Sequence, residues 1–236
     1  MAETMQSPDS FDFDDDYGRE YDYIARTVIP GYDTVFKIVR ALLRERIGEN
    51  AEVLIVGAGT GKELAEFATV QDDWRFTAVD PSKQMIDFAR RVAEQNGTEC
   101  RVTLHHGYAS DLSEDPQFDA ATIINVMHFL ADDGTKQALV ESVAQRVKSG
   151  GVIVLFDLHG APRTDEFQLA ERAWVDYMKG NGLTGQQLEK FIDRLHSGIV
   201  YVPESRIMEI VASIGLEVEM QFYRALLYGG WLLRKT

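Results

Sequence analysis

Cysteine is nearly absent. Cys100 stands alone among 236 residues, so no disulfide can close within the chain, and a reducing cytoplasm is the simplest setting. No apolar run approaches the ~20 residues that a spanning helix needs. The opening stretch M-A-E-T-M-Q-S-P-D-S-F-D-F-D-D-D lacks both the basic start and the apolar core of a signal peptide. Positive charge is scarce too: 24 Lys and Arg face 38 Asp and Glu, a formal charge of −14. Such a surface repels phosphate backbones, which disfavours direct nucleic-acid binding, and it keeps a protein soluble. Metal-ligand spacing is missing as well. His105 and His106 are adjacent, so on a strand they point to opposite sides, and no Cys, His and carboxylate cluster has ligand spacing. Neither a G-x-S-x-G elbow nor a Cys/His nucleophile pair is present.

What remains is ordinary globular material, 45% hydrophobic and 26% charged, enough for one large domain with its own core. Residues 1–16 read as a disordered acidic tail, and residues 17–236 as a single domain. An aromatic-rich segment from Tyr17 leads to the turn Pro30-Gly31, after which Asp33 suits an N-cap and Val35, Ile38, Val39, Leu42 and Leu43 share a helix face. Strand and helix patterns then alternate. A-E-V-L-I-V (51–56), R-F-T-A-V-D (75–80), R-V-T-L-H-H, F-D-A-A-T-I-I-N-V and V-I-V-L-F-D (152–157) read as strands. Between them lie helices, one capped by Ser82 and closed by Gly97, another ending at Ser149-Gly150-Gly151. Residues 163–200 hold two helical stretches without a strand, an insertion that could cover the sheet as a lid. A last helix and a terminal strand pair follow, one strand antiparallel to the rest. The expected fold is α/β: a Rossmann-like, doubly wound, seven-stranded sheet, mostly parallel, with a helical insertion.

The stretch V-L-I-V-G-A-G-T-G places Gly57, Gly59 and Gly61 between the first strand and its helix, where doubly wound sheets bind ligands. Glycine there permits a tight turn and close backbone approach, and a ligand-free turn is the simpler alternative. Asp80 ends the second strand, where an acidic side chain can accept hydrogen bonds from both ribose hydroxyls. Dinucleotide dehydrogenases and S-adenosylmethionine (SAM) methyltransferases share that geometry. Position 62 is lysine, so the spacing is G-x-G-x-G and departs from the dinucleotide fingerprint G-x-G-x-x-G.

Five segments in order, V-L-I-V-G-A-G-T-G, A-V-D-P-S, H-G-Y-A-S-D-L, F-D-A-A-T-I-I-N-V-M-H-F-L and V-K-S-G-G-V-I-V-L-F-D, resemble the motifs of class I SAM-dependent methyltransferases. The resemblance implies SAM as cofactor and S-adenosyl-L-homocysteine as product. It implies cofactor contacts at Gly57, Ala58, Gly59, Gly61, Asp80, Pro81, Met85, Tyr108, Ala109, Ser110 and Asn125. Tyr108 stands where the family often carries an acid for the adenine amine. I-P-G-Y-D-T (29–34), I-N-V-M-H-F-L, V-D-Y-M-K-G-N-G-L-T and the ending F-Y-R-A-L-L-Y-G-G-W-L-L-R-K are similar to the carboxy-SAM synthases of tRNA wobble-uridine modification. In those enzymes the tyrosine matched by Tyr32 touches the cofactor, and an arginine, replaced here by Lys179, holds the extra carboxylate. Lysine offers a point charge without a bidentate fork.

Three functions stay open: methyl transfer to a small-molecule acceptor, carboxy-SAM formation, and a non-catalytic SAM-binding module. His128, at the end of the fourth motif, and His159, beyond the fifth strand beside Asp157, are the candidate bases. For His128 the alternative is a histidine satisfied by its neighbours, and for His159 simple loop capping. Tyr17, Tyr21, Tyr23 and Arg26 could close over a sulfonium through cation–π attraction, or form a packed amphipathic helix. Trp174, Tyr177 and Lys179 in the insertion, with Arg224 and Tyr228 near the terminal hairpin, could line an acceptor pocket, or pack in the core or against a second subunit of a homodimer.

Overall fold

A computed structural model describes residues 16–70, 73–115 and 117–236, with side chains from residue 22 onward. The acidic tail thus lies outside the described residues except for Asp16, which opens the first helix, and so do the side chains of Tyr17 and Tyr21. Helices α1 (Asp16–Val28) and α2 (Tyr32–Arg46) precede the sheet. The sheet begins with β1 (Glu52–Val56), α3 (Lys62–Phe67), β2 (Arg75–Asp80), α4 (Lys83–Gln95) and β3 (Val102–His106). It continues through β4 (Phe118–Ile124), α5 (Thr135–Arg146) and β5 (Val147–Leu158). The inserted helices α6 (Asp165–Gly180) and α7 (Gly185–Gly198) follow, then α8 (Glu204–Ser213), β6 (Leu216–Ala225) and β7 (Tyr228–Lys235).

The seven strands lie in the order β3-β2-β1-β4-β5-β7-β6. The first five pair in parallel, and β7 runs antiparallel to both β5 and β6. Strand order reverses between β1 and β4, which opens a crevice at their carboxyl ends. Val53, Leu54, Ile55 and Val56 are all buried, as a central parallel strand covered on both faces requires. One core cluster joins α1, α2, α3, α4, α6 and α7 to the sheet. The other joins α5 and α8 to its opposite face. Among the described residues, no helix is long and apolar enough to cross a membrane.

Two local expectations change. Gly31, with φ 65°, precedes α2 and its carbonyl accepts from Thr34 and Val35, so Asp33 falls inside the first turn. There its carboxylate takes Lys62 Nζ at 2.6 Å and Arg26 Nε at 3.2 Å, leaving it no capping role. Ser149-Gly150-Gly151 likewise lies within β5 instead of closing a helix. A Cβ on Gly151 would sit 2.7 Å from the carbonyl oxygen of Asp119, where the β4–β5 register shifts, so glycine lets two backbones meet.

Candidate functional site

At the crevice, Gly57 and Ala58 both donate to the carbonyl of Val79 at 2.9 Å, folding the turn back over β2. The three glycines have left-handed φ values of 80°, 51° and 85°, yet they serve different ends. A Cβ on Gly57 would lie 2.5 Å from Val126 Cγ2, and one on Gly61 would lie 3.0 Å from Ala89 Cα of α4. Both positions are demanded by the protein's own packing. Gly59 meets nothing nearer than a backbone oxygen at 3.9 Å, so it alone presents bare backbone outward.

Asp80 is 7% exposed. Its Oδ2 accepts from Gly59 N and its Oδ1 from Ser82 N, each at 2.9 Å, which ties the carboxylate to the lip of the turn. Ser82 in turn caps α4 by accepting from Met85 N at 3.3 Å, and Met85 is buried beneath it. His106 Nε2 lies 2.9 Å from the carbonyl of exposed Pro81. After β3, Tyr108 is exposed, its N–H held by Asp111 at 2.7 Å. Ala109 is buried, and the carbonyl of exposed Ser110 accepts from Arg146.

Asn125, beyond β4, has φ 57°, uncommon for a residue with a side chain. Its N–H donates to the carbonyl of Phe156 at 2.8 Å, while its Oδ1 is buried without a hydrogen-bond partner. Backbone strain and an unpaired buried acceptor at one residue point to a ligand. These features fit the expected cofactor: an acid for a ribose, bare backbone beside it, and an acceptor with no internal partner.

His128 follows in a short turn, Met127–Phe129. Asp157, wholly buried at the end of β5, accepts from Met127 N at 2.6 Å, from Leu158 N at 2.7 Å and from Val126 N at 3.2 Å. Its remaining capacity goes to a short hydrogen bond with His128 Nδ1. A carboxylate at Nδ1 selects the tautomer whose Nε2 keeps its lone pair. Buried Lys136 braces the turn by donating to the carbonyls of Met127 and Val200, at 2.7 and 3.0 Å.

The His128 ring lines a cleft with Asn125, Phe129, Leu158 and Tyr228 on the sheet side. The opposite wall is the apolar face of α1 (Ile24, Ala25, Val28) with Ile29 just beyond it, together with Phe191, Leu195 and Ile199 in and after α7. The free space is about 40 Å³, far below the ~300–1,000 Å³ of ordinary ligand pockets. Helix α1 is held at its middle and at its carboxyl end. Thr60 of the glycine turn donates to Asp22 Oδ1 at 2.6 Å, and Trp174 Nε1 of α6 donates to the carbonyl of Val28 at 2.6 Å. Tyr32 is buried behind α1, with Arg26 and Lys62 cations 5.8 and 5.9 Å from its ring centre.

Other candidates lie elsewhere. His159 is 7% exposed and packs edge-on against Trp231, on the α8 side of the sheet, with Nε2 buried and unpartnered. Burial pushes its pKa below the ordinary histidine value, partly countered by Glu204. Trp174 is fully buried between Tyr228 and Phe191. Lys179 is exposed and lines an outer groove of about 360 Å³ between α6 and α7. Tyr177 is half-buried on the same helix, and Arg224 pairs with Glu166 and Glu204 at the surface. Sequence reasoning missed Glu63, the apolar face of α1 and Lys136. Glu63 follows Lys62 in the first turn of α3, and nothing in the sequence separates it from an exposed first-turn acid.

Residues 53–151 match a family model described as a methyltransferase domain. A carboxy-S-adenosyl-L-methionine synthase from Campylobacter curvus is 28% identical over 144 residues, 61% of this chain and 60% of that protein. The synthase of Hydrogenovibrio crunogenus is 19% identical across 100% of this chain and 93% of its own. In fold, the chain is similar to an O-methyltransferase of neocarzinostatin biosynthesis solved with SAM and 2-hydroxy-5-methyl naphthoic acid. That match has a TM-score of 0.57 at 16% identity, covering 92% of this chain and 60% of the other.

Proposed function

The methyltransferase-domain match and the synthase relatives support a class I SAM-dependent methyltransferase, and from that premise we propose that the chain methylates a small, largely apolar acceptor carrying an ionisable O–H or N–H. The observation that carries this reading is the His128–Asp157 pair at the edge of an apolar cleft. SAM supplies a methyl group on a cationic sulfur and leaves as S-adenosyl-L-homocysteine. Asp80 holds the ribose hydroxyls, and Gly59 gives the cofactor room against bare backbone. His128 Nε2 takes the acceptor's proton, and Asp157 stabilises the imidazolium that results. The walls of α1 and α7 orient the acceptor and exclude water, and one of them must move to admit it. An aromatic ligand in a structural neighbour agrees with such an acceptor.

The carboxy-SAM synthase relatives support a second reading. It needs a cation beside the sulfonium to hold a carboxylate. No Lys or Arg is among the described residues that line the inner cleft, and Lys179 lies in the outer groove. Mass spectrometry of the small molecule released on denaturation separates the two: SAM or its demethylated product supports methyl transfer, and carboxy-SAM would overturn it. With a panel of phenols and amines, His128→Asn should lower kcat by about 10²–10⁴-fold while SAM affinity stays within about threefold. An unchanged kcat would remove His128 as the base. SAM binding with no transfer to any acceptor would leave a non-catalytic binding module.

A further inference from the structure

Glu63 is the second residue of α3, directly behind the glycine turn, and is 5% exposed. Thr122 Oγ1 of β4 donates to its Oε1 at 2.5 Å. Among the described residues nothing cationic compensates the carboxyl. Lys62 beside it turns to Asp33. On α2, Arg40 is taken by Glu66, while Lys37 and Arg44 are exposed. On α4, Lys83 and Arg90 pair with Asp87, and Arg91 lies over the Phe88 ring. On β2, Asp80 serves Gly59 and Ser82. Beside Thr122 in register stands apolar Ile55 of β1. An acid buried without a counter-ion costs free energy, and a glutamine would accept the Thr122 bond without that cost.

Its position supplies a reason. Thr122 lies three residues before Asn125, whose buried Oδ1 has no partner among the described residues, and four before Val126, which packs on Gly57. Behind the cofactor turn, Glu63 and Asn125 thus offer acceptors for which the described residues supply no cation. We propose that Glu63 is the counter-ion of the α-ammonium group of bound SAM, with Asn125 Oδ1 as its neutral companion. The assignment rests on SAM as cofactor and is independent of the acceptor.

A proton balance follows. Desolvation raises the Glu63 acid to about 8 in the SAM-free protein, so at pH 6–7 the side chain is a neutral carboxylic acid. An arriving ammonium favours the carboxylate, and the displaced proton passes to solvent. Binding then releases about one proton per SAM below that pKa, and affinity rises about tenfold per pH unit between pH 6 and 7. Above the pKa the acid is already ionised, so release falls away.

The test is calorimetry of SAM binding at pH 6.5 in buffers of different ionisation enthalpy, with 5′-methylthioadenosine as a probe that keeps ribose and adenine but lacks the amino-acid end. The wild type should release about one proton with SAM and none with methylthioadenosine. Glu63→Gln should abolish the release, weaken SAM by about 10–100-fold and leave methylthioadenosine unchanged. Equal proton counts for the two ligands in the wild type would overturn the proposal without any variant. So would equal weakening of both ligands by Glu63→Gln.

Discussion

Across the crevice, two walls meet in contrasting materials. The β1–β4 wall presents backbone and acids: the open face of Gly59, the anchored carboxylate of Asp80 and the unpaired Oδ1 of Asn125. The facing wall presents hydrocarbon from α1 and α7, with His128 where the walls join. The first wall grows out of a rigid sheet whose neighbours fix every turn. The second is two helices outside the strand–helix alternation, joined to the first by a few bonds such as Thr60 to Asp22. A site made this way can keep one wall for a constant cofactor and vary the other for an acceptor.

The sharpest way to break that division is to remove the acid from the rigid wall. Asp80→Ala should weaken SAM binding by about 100-fold or more, because two charge-assisted hydrogen bonds to the ribose are lost. The fold should survive, since β2 and α4 keep their packing. Calorimetry with SAM reads the affinity, and thermal unfolding reads the fold. Unchanged affinity would mean that the ribose lies elsewhere and that the rigid wall has been misassigned.

A finer division runs through the glycine turn itself. Gly57→Ala combines a left-handed φ with a Cβ placed 2.5 Å from Val126 Cγ2, and should cost about 2–3 kcal/mol of stability. Gly59→Ala pays the conformational penalty alone, about 1 kcal/mol, but its methyl group projects where the cofactor would lie. Denaturant unfolding should rank Gly57→Ala as the less stable variant. SAM affinity normalised to folded protein should rank Gly59→Ala as the weaker binder. The same rank in both measurements would erase the distinction between packing glycines and the ligand-facing one.

Legibility followed the same division. The unbroken apolar run Val53–Val56 announced a central parallel strand, and the terminal pair was readable as the antiparallel finish. Asp80, Asn125 and His128 were singled out in sequence, and the fold carries all three to the crevice, because short turns after strands leave little freedom in where a residue goes. The helical wall was harder. The period of α1 shows that one face is buried, and it reads identically whether that face covers core or substrate. Hence Ile24, Ala25, Val28 and Ile29 went unnoticed while the neighbouring tyrosines drew attention. Trp174 and Lys179 were grouped by proximity in sequence, yet α6 turns the tryptophan inward to α1 and the lysine outward to solvent. Glu63 was not singled out, because nothing in sequence separates a buried first-turn acid from the usual exposed kind. Only the register of β4 under α3 puts Thr122 against it and buries it.

Arg224 lies outside the apolar cleft and carries the smallest expected effect. Its guanidinium pairs with Glu166 at 3.3 Å and Glu204 at 3.9 Å, and its side chain is 58% exposed. Pairs in such solvent exposure contribute about 0–1 kcal/mol, and no atom of Arg224 lines the inner cleft. Arg224→Ala should therefore move the unfolding midpoint by no more than about 2 °C, the shift expected from roughly 0.5 kcal/mol in a chain of this size. Its kcat/KM should stay within about twofold, a change of roughly 0.4 kcal/mol. A larger loss appearing in KM alone would place the acceptor under the β6–β7 hairpin, and the boundary of the apolar wall would have to be redrawn to include it.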